Sequence, residues 1–133
     1  MNYFKKLLVI FLLAFVLNFV WEFFHSNLYI HYQNKSITQL VLLRASLFDA
    51  FFVIIAGLLV IKFKFPKNWG IYVFGAGIVF AIFLEGYALS TGRWLYKDSM
   101  PIIPLLGTGL TPTVQLGLLS YLVLKLVFKT NER

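Results

Sequence analysis

Polar positions are sparse along this chain, and the hydrophobic ones run together in four long blocks over residues 7–29, 39–61, 70–90 and about 105–128. Each block supplies the roughly 20 apolar residues that a helix needs to cross the hydrocarbon core of a bilayer. The connections between them are short and contain residues 32–36, 62–68 and 91–104. No internal repeat, low-complexity tract or soluble domain interrupts the pattern. The expectation is an all-α, integral membrane four-helix bundle in which residues 1–133 form a single transmembrane domain.

Lys5 and Lys6 precede the first block as basic residues precede a signal peptide. The apolar run is long, however, and leads into Trp21, Glu22 and Phe23 without a small-residue cleavage site, so it reads as an uncleaved span.

Composition strengthens this reading. Of the 133 residues, 60% are hydrophobic and 13% charged, with a mean hydropathy of +0.83. A water-soluble domain this small has too much surface to hide so much apolar side chain. The lipid bilayer is therefore the expected partner, and a multi-pass position in the cell membrane the expected location. The net charge of +7 does not imply nucleic acid as a partner, because the bases cluster at the ends of apolar blocks and not along one solvated face. The absence of cysteine excludes disulfides, thiolate metal sites and a thiol nucleophile.

The distribution of bases also sets an orientation. In a four-span arrangement Lys5, Lys6, Lys62, Lys64, Lys67, Lys125, Lys129 and Arg133 fall on one side. Lys35, Arg93 and Lys97 fall on the other, partly offset by Asp98. The positive-inside rule then places both termini in the cytoplasm. Tyr32, Trp69, Tyr72, Trp94 and Tyr96 lie near the block boundaries, where interfacial aromatics belong.

Three of the five acids, Glu22, Asp49 and Glu85, lie inside the blocks. Ionisable groups there are costly, which makes them functional candidates by default. With the predicted topology all three fall toward the outer half of the bilayer, as do Thr108, Thr111, Thr113 and Gln115 of the last block. At 100° per residue, Asn18, Glu22 and His25 share an arc of roughly 60°. Gly77, Ala81 and Glu85 recur every four residues as a small-residue seam that would turn Glu85 inward. Thr108, Thr111 and Gln115 align, and Ala45, Asp49 and Ala56 place Asp49 on an inward side. Arg44 leaves its helix about 140° from Asp49. Its options are to snorkel to the interface or to pair with Glu22 or Glu85 on a neighbouring helix.

Beside this half lie GRWLYKDSMPIIP (92–104) and GTGLTP (107–112). Pro101, Pro104 and Pro112 disfavour a regular helix start, and Gly107 and Gly109 allow close backbone packing. The segment reads as a re-entrant lid or irregular helix start over the polar cluster, with Arg93, Trp94 and Tyr96 within reach of it.

The chemistry of these residues leaves three classes open. Carboxyl groups in diverging environments divide acid and base roles, so Glu22, Asp49 and Glu85 are the candidate catalytic set. Asn18, His25, Arg44, Arg93, Trp94, Tyr96, Thr111 and Gln115 are the candidate ligand contacts. Walls rich in Phe, Leu and Ile suit a hydrophobic small molecule that enters from the lipid, such as an acyl lipid or isoprenoid. A small transporter is the second class; four spans are few for a transport pathway, so it would need a homo-oligomer. A membrane assembly subunit, in which the polar groups only set helix register, is the third. Glu22 and His25 form a Glu-x-x-His pattern, which binds metal in bundles when other helices add carboxylates. A two-metal site needs a second such motif, and His31 lies outside the block, so neither metal nor cofactor is expected.

Between Glu85 and Gln115, an acid, then GRWLY, then a proline-marked helix start resemble the membrane lycopene cyclase domain of carotenoid biosynthesis. That resemblance covers about a quarter of the chain and implies a helical membrane fold acting on an isoprenoid. In the family the proline precedes paired acids; here Pro112 precedes Thr113 and Val114, so no catalytic residue is carried across. More broadly the chain resembles small four-span membrane proteins of bacteria and archaea.

Overall fold

The computed structural model describes residues 1–129, so Arg133 and its place in the charge count lie outside the described residues. The chain forms four long helices, α1 (Tyr3–His25), α2 (Gln39–Lys62), α3 (Trp69–Ser90) and α4 (Leu110–Lys129), and two short strands, β1 (Tyr29–Tyr32) and β2 (Trp94–Tyr96). The architecture is all-α with this one small sheet added. All four helices are long and apolar enough to cross a membrane.

Local chemistry explains the helix ends. The Asn2 side chain accepts from the Lys5 backbone N–H at 2.8 Å, and Thr38 does the same for Val41 at 3.4 Å, each satisfying a donor that the first helical turn leaves free. The first block was expected to be helical to residue 29, but α1 ends at His25. There Ser26 and Asn27 donate to the carbonyls of Phe23 and Phe24, in a 3₁₀ turn over Ser26–Leu28; such local bonds compete with helix continuation. The fourth block was expected from about residue 105, yet α4 begins at Leu110. Pro101 and Pro104 lack an N–H, and Leu105 and Gly107 hold positive φ angles of 72° and 71°, a conformation that breaks a right-handed helix. Pro112, in the first turn of α4, falls where a missing N–H costs nothing. Thr108 therefore precedes the helix and does not share a helical face with Thr111 and Gln115; its hydroxyl instead accepts from Thr113 at 3.0 Å.

The helices pair as α1 with α2 and α3 with α4, and α4 also touches α1 and α2. The α3–α4 crossing depends on two glycines. A Cβ on Gly77 would overlap the Cα of Gly117, and one on Gly117 would overlap the Phe74 carbonyl oxygen. Backbone thus meets backbone, the close approach that small residues permit. Gly77, Ala81 and Glu85 are all buried on this side of α3.

The strands join the α1–α2 connection to the α3–α4 connection. They run antiparallel with Tyr29 opposite Tyr96, His31 opposite Leu95 and Tyr32 opposite Trp94, and a bulge between Tyr29 and His31. The rings of Tyr32 and Trp94 stack at 5.5 Å. After β1 the chain turns through Gln33 and Asn34, both at positive φ, with Tyr32 and Lys35 exchanging backbone bonds of 3.1 and 3.0 Å, as in a primed hairpin turn. One end of the bundle thus carries the sheet, and the other carries both ends of the described chain.

Candidate functional site

The polar residues of the four helices meet in the half of the bundle beneath the sheet. Gln115, buried one turn into α4, is their hub. Its amide nitrogen donates toward Asn18 Oδ1 at 3.1 Å, Glu22 Oε1 at 3.0 Å and Asp49 Oδ2 at 3.1 Å. Asn18 is held in turn by its own bond to the Ala14 carbonyl at 2.8 Å. The other oxygen of Glu22 accepts from His25 Nε2 at 2.9 Å, and His25 Nδ1 lies 3.3 Å from the Thr111 hydroxyl. Helical spacing accounts for the α1 part: Asn18, Glu22 and His25 fall within two turns on one face.

A second cluster forms around Glu85. Its Oε2 accepts from Trp94 Nε1 at 3.1 Å and from the Tyr96 hydroxyl. The Tyr96 oxygen accepts from the Gly109 backbone N–H at 3.0 Å. Strand β2 and the irregular start of α4 are therefore both tied to a carboxyl on α3. The segment expected as a re-entrant lid or irregular helix start forms strand β2 and turns before α4.

Tyr29 links the clusters. Its ring packs edge-on against His25 and Tyr96, both at 5.3 Å, and against Trp94 at 6.3 Å. Burial, reinforced by the negative charges of Glu85 and Glu22, holds its phenol far above the usual tyrosine range. Tyr96 is raised for the same first reason, burial, and then by its bond to Glu85, with the Gly109 N–H acting weakly the other way. Tyr29 was not among the residues singled out from sequence. It stands at the very end of the first predicted span, and strand pairing with Tyr96 brings it onto the site.

A cavity of about 370 Å³ lies against both clusters. Glu22, His25, Asp49, Glu85 and Gln115 reach it, as do Arg44, Arg93, Trp94 and Tyr29. Its flanks are α2, through Leu42, Ala45 and Phe48, and α3, through Ala81, Leu84 and Ala88. One turn deeper the helices touch through aromatic rings, with Phe80 lying 6.1 Å from Phe48 and 5.2 Å from Phe52. Asn18, Thr111 and Tyr96 do not line the cavity but hold residues that do.

Arg44 pairs with neither Glu22 nor Glu85. Among the described residues no lysine or arginine pairs with an acid, the one such contact being the His25–Glu22 hydrogen bond, and Arg44 is exposed at the cavity rim. Of the alternatives the sequence left open, this is the outward one. Arg93 is also exposed, with its guanidinium 5.5 Å from the Tyr87 ring. Among the described residues no three His, Cys, Asp or Glu side chains gather as a metal-ligand set. The Glu-x-x-His pair is instead hydrogen-bonded to itself.

No protein-family model, curated protein or solved structure matches the chain. What defines its class is the fold and the site: a bundle of four spanning-length helices with three acids gathered at one end.

Proposed function

We propose that this chain is a multi-pass protein of the cell membrane, with both termini cytoplasmic, that binds a hydrophobic small molecule of lipid or isoprenoid type and transforms it by acid–base chemistry. The observation that carries this reading is that acids from three helices, Glu22, Asp49 and Glu85, border one cavity set between α2 and α3. An apolar substrate would arrive from the lipid between these helices and meet the acids at the inner wall.

The three carboxyl groups stand in different surroundings, which is what a division of acid and base roles requires. Glu22 shares a bond with an imidazole, a pair suited to taking up and passing on a proton. Glu85 is held by two neutral donors, and Asp49 by an amide. Gln115, Asn18 and Thr111 position these groups.

The test is native mass spectrometry of the detergent-purified chain with identification of its extracted lipids, followed by incubation with those lipids. The expected result is a defined small molecule bound to wild type and converted to a product, with conversion abolished in Glu22→Gln, Asp49→Asn and Glu85→Gln while folding persists. Unchanged conversion in all three variants would refute the acid–base role.

A second reading, a non-enzymatic assembly subunit or small transporter with a structural network, is supported by Gln115. A single amide bridging α4 to both α1 and α2 is what register-setting requires. On that reading wild type copurifies without a small molecule, and Glu22→Gln alters stability alone.

A further inference from the structure

Arg44 and Arg93 enter the same cavity from different elements, Arg44 from α2 and Arg93 from the segment between α3 and β2. Both are exposed, and among the described residues neither forms an ion pair. The three acids that line the cavity are engaged elsewhere: Glu22 with His25 at 2.9 Å, Glu85 with Trp94 at 3.1 Å and Asp49 with Gln115 at 3.1 Å. Depth separates the two sets. Arg44 precedes Asp49 by about 7.5 Å along the α2 axis, toward the sheet, and Arg93 lies beyond the end of α3 at Ser90. The cavity thus has a cationic rim over a carboxyl-lined base.

We infer that the cavity takes an amphiphile with an anionic headgroup, a phosphate or carboxylate on an apolar chain. The headgroup sits between Arg44 and Arg93, and the chain leaves between α2 and α3. This rests on the proposed pocket for a hydrophobic small molecule and names the class of molecule that fills it. Guanidinium groups bind such oxyanions through paired, charge-assisted hydrogen bonds. The volume agrees with this division. About 370 Å³ is near the low end of small-molecule sites, roughly 300–1,000 Å³, enough for a headgroup and the start of a chain. The remainder would run along Phe48, which lines the cavity and is 48% exposed.

The deciding experiment measures binding of dodecyl phosphate, dodecanol and inorganic phosphate to the full chain in a neutral maltoside detergent. Wild type is compared with the Arg44→Gln/Arg93→Gln double variant and with Lys35→Gln, an exposed cation near the same end that does not line the cavity. Dodecyl phosphate should bind wild type and Lys35→Gln about tenfold or more tighter than dodecanol. The double variant should lose that preference and keep its dodecanol affinity, and inorganic phosphate should not compete. The inference fails if dodecyl phosphate binds no tighter than dodecanol, if the preference survives in the double variant, or if Lys35→Gln loses it equally. Competition by inorganic phosphate at matched concentration would show an ion site without a chain and would also overturn it. Dodecanol binding separates the two levels: where dodecanol binds without any phosphate preference, the headgroup inference alone falls, and where neither compound binds, the pocket falls with it.

Discussion

The amide nitrogen of Gln115 on α4 lies 3.1 Å from Oδ2 of Asp49 on α2, a residue 66 positions away in sequence. The same nitrogen faces Asn18 and Glu22 on α1. Two amide protons thus serve three acceptor oxygens, and three helices depend on one side chain. An arrangement short of donors should tolerate gaining one better than losing its hub.

Gln115→Leu should therefore lower stability by about 1–3 kcal/mol, since it strands buried acceptors, with membrane-embedded bonds tending to the low end of that range. Asp49→Asn, which keeps an acceptor oxygen and adds an N–H₂ group in the buried network, should cost less than Gln115→Leu. Thermal unfolding in detergent monitored by circular dichroism compares the two; equal losses would show that the network is not donor-limited.

Gly77 and Gly75 provide a contrast within one helix. Any Cβ at Gly77 meets the Gly117 backbone, whereas nothing lies within 4 Å of one at Gly75. Gly77→Val should separate α3 from α4 and cost about 1–3 kcal/mol, while Gly75→Ala should be neutral or slightly stabilising. The same unfolding measurement, with crosslinking between α3 and α4, checks both.

Alkaline titration should reveal Tyr29 and Tyr96. Both phenols are raised, first by burial, above the ordinary tyrosine value, so they should stay protonated near pH 11 while an unperturbed phenol, with a value of about 10, ionises. A raised folded-state value means that the associated stability is present below the unfolded value and is lost as pH rises beyond about 10. Absorbance at alkaline pH should show the same tyrosinate amplitude in wild type and in the Tyr29→Phe/Tyr96→Phe variant. That variant should also lose stability less steeply above pH 10; a smaller amplitude in it would contradict the burial argument.

Orientation is accessible because the chain has no cysteine. With the proposed cytoplasmic termini, Lys35→Cys in intact cells should react with an impermeant maleimide, and Lys67→Cys only after the membrane is opened. The reverse labelling would invert the topology and place the carboxyl cluster in the inner half.

Much of the candidate site was legible before the fold was known. Asn18, Glu22 and His25 could be placed on one face because helical phase is a local property, and the Gly77–Ala81–Glu85 seam follows from the same arithmetic. Trp94 and Tyr96 were expected within reach of the cluster because they sit in a connection whose following prolines, Pro101, Pro104 and Pro112, disfavour a regular helix start. Tyr29 was invisible by contrast. Its place depends on a strand pairing across more than 60 residues, and four residues, YIHY, at the end of a predicted span carry no sign of it. Helical phase points Arg44 away from Asp49, but whether another helix offered it an acid depended on which helices lie side by side.

The sequence alone determined four spanning-length helices, the gathering of costly polar groups toward one end, and the inward face of α1, because apolar length and helical periodicity act within each segment. Only the tertiary structure decided that Gln115 joins three helices, that β1 and β2 carry Tyr29, Trp94 and Tyr96 onto the site, and that Arg44 and Arg93, without an ion pair among the described residues, stand at a cavity between α2 and α3. Those relations come from helix adjacency and strand register, set by the Gly77–Gly117 contact and by long-range hydrogen bonds that no local pattern encodes.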